Sequence, residues 1–263
     1  MRWLADLKLA YWNVRHWDAA FAWTLLRTLR LRSVFACVWL FPIRQPGRPA
    51  ETVLSLRAGS DLTLRTYSTD PDVFRQVFLE TQYELPPPAA GVSRIVDAGA
   101  NIGLSSLYFL LRYPDATIVG LEPDPENHRF AVRNTRAFGD RCRIVQAALW
   151  TDESPLSLVR GDAAWSTRVE VATDAVGHVI GMSLDDVLKS MGWQAADIVK
   201  LDIEGAELQV LTRQLTEPTP VACWAIELHS DEARQAFRAL FDGVEWRVQQ
   251  HGEIDLAWRV KAG

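Results

Sequence analysis

Cysteine is scarce in this chain. Of 263 residues only Cys37, Cys142 and Cys223 are cysteines, odd in number, widely scattered and without a C-x-x-C pair. That excludes a disulfide framework and a cysteine-based zinc site, and it favours a reducing compartment. Long apolar runs are missing from the first fifty residues. The longest charge-free run there, Ser33 to Ile43, is eleven residues and contains Pro42, too short to span a bilayer. An unbroken leader core is missing as well, because Trp3, Asp6 and Lys8 interrupt the place where one would lie. Positive charge is outnumbered beyond the N-terminus. Residues 1–50 hold eight Lys/Arg against Asp6 and Asp18, a balance of +6, so the rest carries −11 of the net −5. An acidic body argues against nucleic acid as substrate, since phosphate binding is driven by Lys and Arg. What is present is 48% hydrophobic content, enough for one sizeable core with an appendage.

The chain is organised around Arg94-Ile-Val-Asp-Ala-Gly-Ala-Asn-Ile-Gly-Leu104. Ile95 and Val96 end a buried strand, Asp97, Gly99, Asn101 and Gly103 form a tight turn, and Leu104 to Arg112 has helical apolar spacing. Strand, glycine turn and helix together hold nucleotide-like ligands in doubly wound sheets. A dinucleotide fingerprint needs glycines at its first, third and sixth positions. Here Asn101 takes the third, and Gly103 falls one residue early. Asp97 is a costly neighbour for a pyrophosphate and a good one for an ammonium. S-adenosylmethionine carries an ammonium and a sulfonium and no phosphate, so the turn suits it better than NAD. D-A-G-A-N-I-G resembles the first motif of Rossmann-like S-adenosylmethionine-dependent methyltransferases.

Residues 1–41 read as two or three helices with an apolar stripe through Leu4, Leu7, Tyr11, Val14, Trp17 and Phe21, and they contain five of the eleven tryptophans. Two readings stand: a helical lid or homodimer-forming arm, or an interfacial anchor on anionic lipid at the inner face of a membrane. Arg44 to Pro49 makes a linker, which sets a boundary between a basic, Trp-rich arm (1–50) and a catalytic domain (51–263) placed in the cytoplasm. Thr52–Arg57 and Leu62–Tyr67 read as a hairpin. Asp70 reads as the N-cap of a helix from Pro71 to about Glu80. Tyr83, ahead of three prolines, reads either as a wall of the cofactor site or as an ordinary core tyrosine. Ala116–Leu121 is a second buried strand ending in Glu122, nineteen residues after Gly103, where a carboxylate can accept both ribose hydroxyls of an adenosine. A helix spans Asn127–Phe138, and Cys142–Ala148 is the third strand, with Ala147 small enough to leave room for adenine. Leu156–Val159 and Arg168–Val171 read as a second hairpin around a loop carrying Trp165. Ser183 caps a helix ending near Gly192.

The second informative stretch is Asp197-Ile-Val-Lys-Leu-Asp-Ile-Glu-Gly-Ala-Glu207, a buried strand that ends in Asp202 and Glu204. Charges at a buried strand tip are expensive unless paired. Lys200 therefore reads as an orienter, with the carboxylates at a site. Val221–His229 brings Glu227 and His229 to the same edge, Asp231–Phe241 is a helix, and Val244–Gln250 with Ile254–Val260 closes the sheet as an antiparallel hairpin.

The set D-A-G-A-N-I-G, G-L-E-P-D-P, D-I-V-K-L-D-I-E-G-A-E and A-I-E-L-H resembles the FkbM-type methyltransferase family from about Asp70 to His229. The resemblance implies a Rossmann-like methyltransferase fold, an α/β architecture with a mostly parallel seven-stranded sheet and a C-terminal antiparallel hairpin. It implies O-methylation of hydroxyls on sugars, glycans, polyketides or related metabolites. It assigns Asp97, Gly99, Asn101, Gly103 and Glu122 to S-adenosylmethionine, and Asp202 and Glu204 to the active-site edge. Nothing about residues 1–50 is inherited.

An alcohol is a weak nucleophile, so a base within reach is expected. Asp202 is the first candidate, then Glu204 and His229, the last for its ordinary pKa. No second His/Asp pair is spaced to complete a metal site, so metal independence is expected. Alternatives stay open: a carboxylate or amine acceptor on a peptide or small molecule, a non-catalytic cofactor-binding partner subunit, and a nicotinamide-dependent oxidoreductase, which the glycine spacing and Asp97 disfavour.

Overall fold

The computed structural model describes residues 51–56, 60–66, 68–85, 91–160, 167–172 and 179–260. The expectations for the N-terminal arm, the linker, the prolines at 86–88 and the Trp165 loop fall outside those residues. The chain divides after Thr81 into two units.

In the first unit, β1 (Glu51–Ser55) and β2 (Asp61–Arg65) pair antiparallel, the hairpin expected from their alternation. A short helix α1 (Asp70–Phe74) follows and continues as a π-helical turn over Arg75–Leu79. Asp70 is not the cap; Thr69 holds that position. The Asp70 carboxylate turns back instead, accepting from Arg65 N at 2.8 Å and pairing with the Arg65 guanidinium at 2.9 Å. A charged donor from the preceding strand outcompetes the helix's own free N–H groups for it.

The second unit is built on seven strands: β3 (Arg94–Ala98), β4 (Thr117–Leu121), β5 (Cys142–Val145), β10 (Ala196–Leu201), β11 (Val221–Glu227), β12 (Trp246–His251) and β13 (Ile254–Arg259). Their order is β12-β13-β11-β10-β3-β4-β5. The pairs from β11 through β10, β3 and β4 to β5 are all parallel, and β13 runs antiparallel to both its neighbours. This is the Rossmann-like methyltransferase architecture with its closing hairpin, as expected. Ile95, Val96, Ile118, Val119, Ile198 and Val199 are almost wholly buried, as strands covered on both faces must be.

Helices α2 (Leu104–Arg112), α3 (Pro125–Thr135), α4 (Leu184–Ser190), α5 (Glu207–Thr216) and α6 (Asp231–Phe241) connect the strands. Three of them start on side-chain caps. Asp124 accepts from Glu126 N and Asn127 N, Ser183 from Asp186 N, and Ser230 from Ala233 N, each satisfying amides that a helix start leaves open. Trp224, Phe237, Phe241 and Trp246 pack with the apolar side of α5 in the main core.

The third strand differs from its sequence reading. It breaks at Gln146, so that β5 stays in the large sheet while β6 (Ala147–Leu149) leaves it. A separate four-stranded sheet then forms from β6, β9 (Val179–Met182), β7 (Pro155–Arg160) and β8 (Thr167–Val171), in the order β6-β9-β7-β8. The β7–β8 hairpin was expected; β9 was not. Among the described residues no helix is long and apolar enough to cross a membrane.

Candidate functional site

Strand order reverses at β3, whose neighbours are β10 on one side and β4 on the other. Ligands of open α/β sheets bind outside the carboxyl ends of the strands at such a point. The turn after β3 lies there. Gly99 N and Ala100 N donate to Leu121 O at 3.0 and 2.9 Å, which ties the turn to the end of β4. Gly99, Asn101 and Gly103 all have positive φ (+77°, +50° and +84°). At Gly99 the requirement is steric as well as torsional: a Cβ would stand 1.7 Å from the Asp202 carbonyl oxygen. The turn and the end of β10 are in backbone contact, and only glycine permits it.

Glu122 sits at the tip of β4, buried, with each oxygen taking a backbone donor: Asn101 N at 2.8 Å and Asp124 N at 2.9 Å. Burial pushes its carboxyl up to about 7, against the two backbone bonds, which lower it. Those bonds fix the carboxylate's orientation and leave acceptor capacity for hydroxyl donors. The Asn101 Oδ1 is buried and, among the described residues, has no hydrogen-bond partner. A fixed carboxylate, an unpartnered amide oxygen and a glycine cradle together fit the adenosyl and amino-acid parts of S-adenosylmethionine. Ala147 is buried just beyond β5, whose Val145 carbonyl accepts from Glu122 N at 3.1 Å.

Asp97 departs from its expected part. It is 0% exposed, and the ammonium it faces belongs to the protein. Lys200 is paired with Asp97 in the β10–β3 register, so the two side chains lie next to each other. Lys200 Nζ stands 3.3 Å from Asp97 Oδ1, 3.5 Å from Asp202 Oδ2 and 2.5 Å from Gly99 O. Asp97 Oδ2 accepts from the Ser105 and Ser106 hydroxyls at 2.7 and 2.5 Å. Burial would lower the Lys200 pKa, but Asp97 and Asp202 outweigh it and raise it. Lys200 thus ties the turn to both carboxylates. Tyr83 stands at the same place, buried, its hydroxyl 3.4 Å from Asp202 Oδ2, its ring 5.7 Å from Lys200 Nζ and packed on Phe109. Burial first, then Asp202, pushes its phenol well above the ordinary value.

Beyond Lys200 the strand ends deliver a second group. Asp202 follows β10, Glu227 ends β11, and His229 lies two residues further on. His229 Nε2 is 3.6 Å from Glu227 Oε1 and 3.7 Å from Glu204 Oε2. Its Nδ1 lies 3.0 Å from Glu207 Oε1. Glu207 is fully buried at the start of α5 and is also held by Ile203 N and Gly205 N, at 3.2 and 3.1 Å. Glu204 reaches its place from a left-handed backbone, φ +53°. The bond to Glu207 pushes His229 up to about 9. Burial, then Asp202, pushes both Glu204 and Glu227 up to about 7. The ordinary histidine pKa assumed from sequence does not hold here.

Asp202, Glu204 and His229, singled out from sequence, are therefore brought together. Glu227, read from sequence as reaching the same edge, joins them, and Glu207 was missed as a member. The A-I-E-L-H end of β11 signalled Glu227, whereas the last letter of G-A-E gave no sign that Glu207 would face a histidine on another strand. Asp202, Glu227 and His229 each offer a ligand atom within 4.8 Å of the others, a group able to hold a metal ion. The expected metal independence looked for a second His/Asp pair along the chain; these donors converge from two strand ends.

A family model described as Methyltransferase FkbM domain matches residues 97–257. Methyltransferase sdnD of Sordaria araneosa is 28% identical over 174 residues, covering 53% of this chain and 66% of that protein. Methyltransferase 1 of Beauveria bassiana (strain ARSEF 2860) is 25% identical over 162 residues, covering 53% and 65%. The chain thus spans just under two thirds of the length of these curated relatives. A crystal structure of Methyltransferase FkbM from Methylobacillus flagellatus KT aligns with 91% of this chain and 58% of its own, at 16% identity and a TM-score of 0.48.

Proposed function

From the premise that this chain belongs to the methyltransferase FkbM domain family, we propose that it is an S-adenosylmethionine-dependent O-methyltransferase. Its acceptor is a hydroxyl of a sugar, glycan, polyketide or related metabolite. The observation that carries this reading is the backbone contact between the glycine turn and Asp202, which puts the cofactor-type turn and the group Asp202, Glu204, Glu227 and His229 on one edge of the sheet.

Bound there, S-adenosylmethionine would supply an electrophilic methyl on a sulfonium. The Gly99–Gly103 turn, Asn101 and Glu122 bind the donor, with Glu122 accepting ribose hydroxyls. Lys200, held by Asp97, keeps the turn and Asp202 in register. Asp202 orients the acceptor hydroxyl, and a neighbouring group takes its proton as oxygen attacks the methyl. An amine has less need of a base than an alcohol does.

The test is transfer of isotope-labelled methyl from S-adenosylmethionine to a panel of hydroxylated small molecules and glycans. Wild type should give methyl ethers. Asp202→Asn should lose about 10²-fold or more of the rate while keeping S-adenosylhomocysteine affinity. Methyl esters or N-methyl products in place of ethers would refute the acceptor assignment.

A further inference from the structure

We propose that Asp202, Glu227 and His229 form a divalent-cation site in which Glu207 orients the histidine, and that the cation's open positions hold the acceptor oxygen. The last clause rests on the transferase reading above; the site itself does not.

The donor set is one imidazole nitrogen and two carboxylate oxygens, all within 4.8 Å of one another. Around a small divalent ion with bonds of about 2.1 Å, donors stand about 3 to 4.2 Å apart, so little movement is needed to close on one. Mixed nitrogen and oxygen donors suit Mn²⁺ and its neighbours, and three ligands leave positions open for substrate and water.

A second observation comes from outside the three ligands. Metal-bound histidines donate their other ring N–H to a carboxylate that fixes tautomer and orientation. Glu207 stands in that relation to His229, at 3.0 Å from Nδ1, with its side chain 1% exposed and pinned by two backbone amides. The Nε2 is thereby turned toward Glu227 and Glu204, at distances too long for hydrogen bonds. Among the described residues the contacts of the two carboxylates are long too. Asp202 Oδ2 has Tyr83 Oη at 3.4 Å and Lys200 Nζ at 3.5 Å, and Glu227 Oε2 has Gln82 Nε2 at 3.4 Å. Local charge points the same way. Asp202, Glu204, Glu207 and Glu227 crowd together, and the nearby Lys200 is already committed to Asp97 and Gly99 O. A divalent ion that displaces the His229 proton to solvent satisfies the open donors and the charge surplus at once.

The test uses the full chain stripped with EDTA and titrated with Mn²⁺, free Mn²⁺ being read by electron paramagnetic resonance. S-adenosylhomocysteine binding is measured separately by calorimetry. One saturable Mn²⁺ per chain is expected. Binding should weaken at least 30-fold in each of Asp202→Asn, Glu227→Gln and His229→Ala, about 10-fold in Glu207→Gln, and not at all in Asp152→Asn. Circular dichroism identifies any variant that fails to fold, and the remaining ligand variants then carry the test. No saturable binding up to 5 mM Mn²⁺, or binding that survives the ligand changes in folded protein, would overturn the site. Mn²⁺ binding without S-adenosylhomocysteine binding would keep the site and refute the donor reading, and the reverse would do the opposite.

Discussion

Replacing Lys200 with methionine removes one ammonium from a place that water does not reach. The Lys200 side chain is 2% exposed and that of Asp97 is 0% exposed, at 3.3 Å separation. Methionine fills nearly the same volume, so packing is conserved and the change is electrostatic. Asp97 keeps the Ser105 and Ser106 hydroxyls on Oδ2, but its Oδ1 loses the Lys200 ammonium and has no hydrogen-bond donor among the described residues. Breaking one partner of a buried pair costs about 3–5 kcal/mol, because the other charge stays buried and uncompensated. At about 2–4 °C per kcal/mol for a unit of this size, the midpoint should fall on the order of 10 °C. Adding Asp97→Asn neutralises the orphaned carboxylate, so the double variant should be more stable than the two single losses added together, by about 2 kcal/mol. Urea unfolding followed by tryptophan fluorescence measures all four corners of the cycle. A loss below about 1 kcal/mol for Lys200→Met, or strict additivity in the double variant, would refute the claim that this pair holds the turn to β10.

Gly99→Ala drives a Cβ to 1.7 Å from the Asp202 carbonyl and should leave little folded protein, whereas Gly139→Ala meets no neighbour within 4 Å and bears only the backbone cost of φ +54°, ψ −132°, about 1–3 kcal/mol; thermal melts separate the two. Asp197 accepts from Ser93 N, Ser93 Oγ and Arg94 N, joining the starts of β3 and β10. Asp197→Ala leaves those donors open and should cost about 2 kcal/mol by urea unfolding. Glu122, pushed up to about 7 by burial, accepts hydroxyls best when ionised, so S-adenosylhomocysteine affinity should rise between pH 6 and 8 and stay flat in Glu122→Gln. The ligand-free protein has the opposite sign. A raised carboxyl contributes stability fully below its unfolded value of about 4.3 and loses it as pH rises through about 7.

The glycine-turn half of the candidate site was legible because it is local. Ile95 and Val96 followed by D-A-G-A-N-I-G state strand, turn and helix within eleven residues, and Glu122 follows at the end of the next apolar run. The acidic half was legible at Asp202, Glu204, Glu227 and His229, and not at Glu207. Glu207 meets His229 across twenty-two residues of chain, a helix start facing a strand end, and no spacing rule encodes that. The inward pairing of Asp97 with Lys200 was hidden for a similar reason. Strand register decides it, and register is set by the assembled sheet. The break at Gln146 and the strand Val179–Met182 escaped because short apolar segments do not declare which sheet they will join. Asp70 misled as a cap because Arg65 pairs with it more strongly than open amides do.

Calorimetric titration with S-adenosylhomocysteine, alongside NADH and a Glu122→Ala variant, tests the central claim most directly. The account predicts micromolar binding of S-adenosylhomocysteine, no binding of NADH, and at least a tenfold loss in the variant. NADH binding, or S-adenosylhomocysteine affinity that is indifferent to Glu122, would contradict it.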